Sequence, residues 1–258
     1  IVELTVALTN KPKDPTVLML GVEKMEQIMQ VLQAFQGKLD LTAFEFFSEK
    51  ALKHVIEEKQ LQRPFATQPD FYALVEFENN SEQDMDTAMH LFETCLEEGW
   101  VVDGTISQNS TQANNLWRLR EDISETISKF TPYKNDISVK VSKVPEFLRE
   151  VDSLVTSVYP DFEIIWFGHI GDGNVHLNIL KPDALAAEAF FKECSKVSDL
   201  VFEIVAKHGG SISAEHGVGL LKKPFLHYSR STSEIAYMKA IKKIFDPKNI
   251  MNPGKLFD

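Results

Sequence analysis

Apolar and polar positions alternate with a period of two in some stretches and recur every three to four residues in others, and the two kinds of stretch take turns along the chain. Residues 1–8 alternate like a strand, 10–15 form a turn-rich break, and 16–22 read as a short apolar strand. Residues 23–35 bring Met25, Ile28, Met29 and Leu32 to helical spacing. The same patterns predict strands over 41–47, 71–77, 100–106 and 136–144, and helices over 49–60 and 112–128. A helix running to residue 98 takes Ser81 as N-cap, with Glu82 and Asp84 in its first turn. Pro145 opens a helix to about 158. Strands at 162–167 and 175–180 flank a Gly-rich turn. A long helix over 184–207 stops at Gly209-Gly210, a short strand follows at 211–214, and a last helix over 232–245 stops at Asp246-Pro247. Helices and strands that recur with hairpin-length returns imply an α+β fold, an antiparallel sheet with helices on one face.

Composition narrows the partners. The 258 residues are 43% hydrophobic, enough for a sizeable core. Net charge is -11, from 27 basic and 38 acidic residues, which argues against a nucleic-acid partner. An anionic substrate stays open, since a pocket needs only a few well-placed cations. Cys95 and Cys194 lie far apart in helix-like stretches, which suits a reducing compartment. No apolar run approaches the ~20 residues of a transmembrane helix. The chain opens without Met inside a strand-like run, so the expectation is a piece of a longer protein.

The densest chemistry lies in Phe167-Gly168-His169-Ile170-Gly171-Asp172-Gly173-Asn174-Val175-His176-Leu177-Asn178. Asp172-Gly173 is a two-residue hairpin signal for a turn that needs φ > 0 at both positions. Folding there sets Gly171 opposite Asn174, Ile170 opposite Val175 and His169 opposite His176. Opposed side chains share a face with Cβ atoms ~5 Å apart, so two imidazoles can converge on one ion. Asn178 shares that face, as does Phe167, while Ile170, Val175 and Leu177 point toward a core. A cross-strand His pair on a half-exposed sheet has the same pattern.

Glu215-His216 is bracketed by Gly209-Gly210 and Gly217-Val218-Gly219. Glycines allow close backbone approach, which suits a site lining. Glu215 could complete a His/His/Glu metal set with an open position, and His216 would then be an adjacent general base. A surface turn with incidental charges is the alternative. Arg120 and Ser124 are four apart on one helix, and Lys134 follows after a turn. The three facing one cavity would hold a carboxylate; a salt-bridged helix face is the plainer possibility. No G-x-G-x-x-G, Walker or nucleophile-elbow pattern occurs.

These motifs, with Asp246-Pro247 through Asn252-Pro253-Gly254-Lys255, resemble the C-terminal half of FAD-linked oxidases of the vanillyl-alcohol-oxidase type. The likeness covers nearly the whole chain, and Leu41-Thr42-Ala43-Phe44-Glu45-Phe46-Phe47 and Leu61-Gln62-Arg63-Pro64-Phe65 narrow it within the family. It implies an FAD-dependent 2-hydroxy-acid dehydrogenase acting on D-2-hydroxyglutarate, with D-lactate or glycolate as alternative substrates. A non-catalytic, metal-stabilised interaction module is the rival from another class. The resemblance further implies that 1–12 is the last strand of a flavin-binding domain otherwise absent from the sequence. Residues 13–222 would be a substrate-binding cap with a ferredoxin-like sheet, and 223–258 a helical tail packing toward the flavin domain. It implies a divalent metal, zinc first, on His169, His176 and Glu215; substrate contacts at Arg120, Ser124, Lys134, Asn178 and His216; and Asn252 and Lys255 near the flavin. Ser124 stands where the nearest relatives tend to carry Thr, and the hydroxyl is kept. An electron acceptor such as an electron-transfer flavoprotein, a homodimer, and a bacterial cytoplasmic or mitochondrial-matrix location are expectations of the same kind.

Overall fold

The computed structural model describes residues 3–8 and 15–257. In chain order the elements are β1 (Pro15–Val22), α1 (Met25–Phe35), β2 (Leu41–Ser48), α2 (Glu49–Lys59), β3 (Phe71–Glu78), α3 (Glu82–Glu97), β4 (Asp103–Ile106), α4 (Ser110–Glu121), α5 (Ile123–Ser128), β5 (Tyr133–Ser138), α6 (Val144–Val158), β6 (Glu163–His169), β7 (Asn174–Leu180), α7 (Ala187–Lys207), α8 (Gly219–Lys222) and α9 (Thr232–Phe245). The strands form one seven-stranded sheet in the order β4-β1-β3-β2-β6-β7-β5, antiparallel at every pairing.

The order shows two related halves. β1-α1-β2-β3-α3-β4 is a ferredoxin-like unit, with α2 inserted between β2 and β3. β5-α6-β6-β7-α7 repeats the path, and its fourth strand is reduced to one bridge, Ser211 to Ser138 on β5. The halves join where β2 meets β6, Phe46 opposite Gly168 and Phe47 opposite Phe167. The α+β, ferredoxin-like expectation therefore holds.

The placement of helices on one face needs correction, because both faces are covered. Alternate residues of β1 point opposite ways: Leu18 and Leu20 join a core with Ile28 and Phe35 of α1, Phe147 of α6 and Phe202 of α7. Val17 and Met19 join a second core with Leu52 of α2, Leu116 and Leu119 of α4, and Ile123 of α5. The second face carries the chemistry. Phe47, Ile165, Phe167 and Leu180 pack there, and by alternation Glu45, His169, His176, Asn178, Lys134 and Asp136 look the same way.

Several boundaries move for identifiable reasons. Residues 3–8 carry no ladder, and Leu4 and Leu8 are exposed. Alternation alone cannot make a strand without a neighbour to pair with; the other residues of 1–14 lie outside those described. β5 occupies 133–138 where 136–144 is predicted, because β7 offers partners only from Tyr133 to Ser138. The next residues turn into a 3-10 helix at Val141–Lys143. The single helix over 112–128 is divided at Asp122 into α4 and α5. β4 is confined to Asp103–Ile106 of the predicted 100–106.

α9 begins with a capping box between Ser231 and Glu234 and contains no buried residue. Tyr237, Ile241, Ile244 and Phe245, at helical spacing, are 55–77% exposed, and Ile250 beyond them is 75% exposed. That is a continuous apolar stripe.

Candidate metal and substrate site

The β6–β7 hairpin brings the histidines together by a route other than the expected one. His169 pairs with Asn174 and Phe167 with His176. The reversal is centred one residue earlier than predicted, as a four-residue loop over 170–173. Asp172 N–H donates to the His169 carbonyl at 3.2 Å and Gly173 N–H to the Ile170 carbonyl at 3.2 Å. The Asp172 carboxylate accepts from Asn174 N–H at 3.0 Å, and only Gly173 of the turn has positive φ, +79°. A Cβ at Gly173 would sit 2.1 Å from the Val139 carbonyl oxygen, so glycine is required there. Moving the centre by one residue shifts each partner by two, which preserves the face. His169 and His176 are thus diagonal neighbours on one face, with ring centroids 5.6 Å apart at 82°.

The third group arrives after α7. Residues beyond Gly210 run back along β5: Ser211 exchanges backbone hydrogen bonds with Ser138 at 2.8 and 3.0 Å, and Ala214 N–H reaches the Asp136 carbonyl at 3.3 Å. Asp136, 3% exposed, accepts through Oδ2 from the backbone N–H groups of both Glu215 and His216 at 2.9 Å. This clamp sets the Glu215 carboxylate 3.6 Å from His176 Nε2. One ligand atom from each of His169, His176 and Glu215 lies within 4.8 Å of the others. Ligands of a tetrahedral ion with bonds of ~2.1 Å lie about 3.4 Å apart. The His176–Glu215 spacing fits that figure, and two imidazoles with a carboxylate are donor types that a divalent ion takes.

Carboxylates stand behind these donors. His169 Nδ1 is 2.7 Å from Glu45 Oε1, which raises the His169 pKa through that hydrogen bond and directs Nε2 elsewhere. His176 Nδ1 faces Asp136 Oδ1 at 3.8 Å. Burial, then the Arg120 charge, lowers the His176 pKa to about 4, so the ring is neutral and ready to donate a lone pair. Asp136 pulls the other way: burial favours its neutral form, but the His216 and Glu215 amides and Lys222 hold its carboxyl below the usual range.

The same cavity, about 760 Å³, is also lined by Arg120, Ser124, Lys134, Asn178 and His216, which gathers the predicted substrate residues. Arg120 is buried over the Phe167 ring, 4.7 Å from its centroid, and ion-paired to Glu45 at 2.8 Å. Lys134 Nζ donates to Ser124 Oγ at 3.1 Å. Asn178 is buried, and its side chain donates to the His176 carbonyl at 3.3 Å. His216 is two-thirds exposed, with its ring 6.1 Å from that of His176. Asn252 and Lys255 are exposed and do not line this cavity, so the fold does not bring them to the site.

Three residues that hold the candidate site together escape the sequence patterns: Glu45, Asp136 and Lys222. Lys222 Nζ donates to the Asp136 carbonyl at 2.6 Å, and burial lowers its pKa to about 8. Glu45 leaves a trace in the sequence, a carboxylate between Phe44 and Phe46. A second His/Glu cluster, Glu146, Glu150 and His208, differs in kind. Lys207 holds both Glu150 oxygens at 2.8 and 2.9 Å and Lys143 holds Glu146 at 3.0 Å, so it is an ion-pair network.

Residues 11–256 match the family described as FAD linked oxidases, C-terminal domain. The chain belongs to that family. It is 59% identical over 257 residues to the D-2-hydroxyglutarate dehydrogenase of Stutzerimonas stutzeri, covering all of this chain and 55% of that protein. It is 48% identical over 258 residues to the D-2-hydroxyglutarate dehydrogenase of Xanthomonas citri pv. viticola, covering 54% of that protein. The chain therefore spans about half the length of these relatives. Among solved structures it superposes on 4-ethylphenol oxidase from Gulosibacter chungangensis with a TM-score of 0.65 over 96% of this chain and 55% of that one. At 13% identity this likeness shows the fold alone.

Proposed function

We propose that the chain is the substrate- and metal-binding part of an FAD-dependent D-2-hydroxy-acid dehydrogenase that oxidises D-2-hydroxyglutarate to 2-oxoglutarate. The observation that carries this is one cavity lined both by a His/His/Glu donor set and by Arg120, Ser124 and Lys134. The first suits a chelating hydroxyl and carboxylate, the second a distal carboxylate. When bound, a divalent cation such as zinc would supply Lewis acidity toward the hydroxyl, and FAD would supply the hydride acceptor. His169, His176 and Glu215 would hold the cation. His216, exposed beside that set, takes the hydroxyl proton. Arg120, Ser124 and Lys134 bind the distal carboxylate, and Asn178 orients the substrate from the sheet.

The division of the chain follows the same proposal: 1–12 belong to the flavin domain, 13–222 form the cap, and 223–258 pack toward the flavin domain with Asn252 and Lys255 near the cofactor. The uncovered apolar stripe of α9 supports such a contact. A reduced flavin must pass its electrons on, and an electron-transfer flavoprotein is a suitable acceptor. A homodimer, and a bacterial cytoplasmic or mitochondrial-matrix location, complete the proposal; among the described residues no helix is long and apolar enough to cross a membrane.

The test uses protein expressed from the full reading frame. It should be yellow, and anaerobic D-2-hydroxyglutarate should bleach the flavin far faster than D-lactate does. Equal or faster bleaching by D-lactate would overturn the substrate assignment. A colourless protein would overturn the flavoenzyme.

A further inference from the structure

Glu45 occupies a costly place. It lies on β2 between Phe44 and Phe46, whose rings enter the first core, so alternation turns its carboxylate toward the helix-covered second face. It is 5% exposed there. Removing an ion from water costs several kcal/mol even after relaxation, on the order of what a small domain gains in total. A leucine or a glutamine would fill the same space, so the charge calls for an explanation.

Its two oxygens serve two different parts of the site. Oε1 lies 2.7 Å from His169 Nδ1, and Oε2 lies 2.8 Å from Arg120 Nη2. Toward His169 the consequence is tautomeric. An Nδ1–H donating to a carboxylate leaves the lone pair on Nε2, the nitrogen free to meet a cation. Toward Arg120 it is orientational. The guanidinium is packed on Phe167 across its face, and at one edge its Nη2 is ion-paired to Glu45 Oε2; that oxygen and the buried Arg120 Nε both lack an aligned hydrogen-bond partner. A planar fork fixed in this way presents its remaining donors in one direction. The two oxygens belong to one rigid carboxylate, so it cannot turn to follow His169 without moving its contact to Arg120.

We infer that Glu45 is a positioning residue that anchors the metal-binding His169 and the carboxylate-binding Arg120 to one another, so that metal affinity and dicarboxylate affinity depend on a single side chain. This rests on the assignment of His169 as a metal ligand. Asp136 has no equivalent role: it fixes the backbone of Glu215 and His216, and its approach to His176, 3.8 Å, is longer than a hydrogen bond.

The test uses full-reading-frame protein and two readouts, zinc affinity by chelator competition and KM for D-2-hydroxyglutarate. Glu45→Gln, which keeps the shape and removes the charge, should weaken zinc binding about 10- to 100-fold and raise KM about 10-fold. Glu45→Asp, which keeps the charge but withdraws it by one methylene, should change both in the same direction and guards against a Gln variant that fails to fold. The deciding comparison is made in a His169→Ala background. There Glu45→Gln should cost no further zinc affinity, because the ring it positions is gone. A charge that merely supports folding would lower affinity equally in both backgrounds, and that result would overturn the inference. So would zinc affinity within threefold of the parent for both Glu45 variants. If His169→Ala itself binds zinc as tightly as the parent, the ligand assignment fails instead, a separate outcome visible in the same experiment.

Discussion

Replacing Asp136 by Asn tests how Glu215, the third of the proposed ligands, is held. The carboxylate Oδ2 accepts two backbone N–H groups at 2.9 Å, from Glu215 and His216, in a setting 3% exposed. A hydrogen bond to a charged acceptor contributes about 1.5–3 kcal/mol, against about 1 for a neutral one. Asp136→Asn should therefore remove roughly 0.5–2 kcal/mol per bond, or about 1–4 kcal/mol in all. Urea unfolding of metal-free protein measures this as a lower midpoint at unchanged m-value. The loss has a pH signature. The amides and Lys222 hold the Asp136 carboxyl below its usual range, so its stabilisation is complete above the unfolded pKa of about 3.9 and fades as pH falls through the lower folded value. The Asn variant should lack that part of the acid sensitivity. Zinc affinity should fall with it, since the Glu215 backbone loses its clamp. Stability within about 0.5 kcal/mol of the parent, together with unchanged zinc affinity, would refute the reasoning.

Two other perturbations follow from the same geometry. His176 stays neutral in the fold down to about pH 4, whereas an unfolded histidine protonates near 6.5. Metal-free protein should therefore lose up to about 3 kcal/mol as pH falls from 6.5 to 4, and His176→Gln should flatten that slope in pH-dependent denaturation; an unchanged slope would contradict it. Lys134→Ala removes one cation from the proposed distal-carboxylate contact, so KM for D-2-hydroxyglutarate should rise about 10- to 100-fold while D-lactate kinetics hold steady. Parallel changes for both substrates would exclude that role.

What was legible in the sequence is what periodicity and parity control. The strand alternation around His169 and His176 placed both on one face, and it did so even though the turn is centred elsewhere, because the displacement preserves parity. The turn departs from the two-residue form that Asp172-Gly173 predicts: the Asp172 carboxylate accepts from Asn174 N–H, and only Gly173 takes positive φ. The helix carrying Arg120 was visible from its spacing, but not the face of the sheet it covers. Both sheet faces are apolar at alternate positions, and single-strand patterns do not say that each is roofed by helices. The clamp by Asp136 was hidden, because it joins residues 79 and 80 apart through backbone amides that carry no side-chain signature. Glu45 was written in plain sight between two phenylalanines, yet its partners His169 and Arg120 lie 124 and 75 positions away in sequence.

Metal stoichiometry tests the central claim most directly. Protein purified after zinc loading and buffer exchange should contain one zinc ion per chain by elemental analysis. Each of His169→Ala, His176→Ala and Glu215→Ala should fall well below one, with the fold intact by circular dichroism. Full stoichiometry in all three variants, or no zinc in the parent, would mean that these side chains converge for some purpose other than holding an ion.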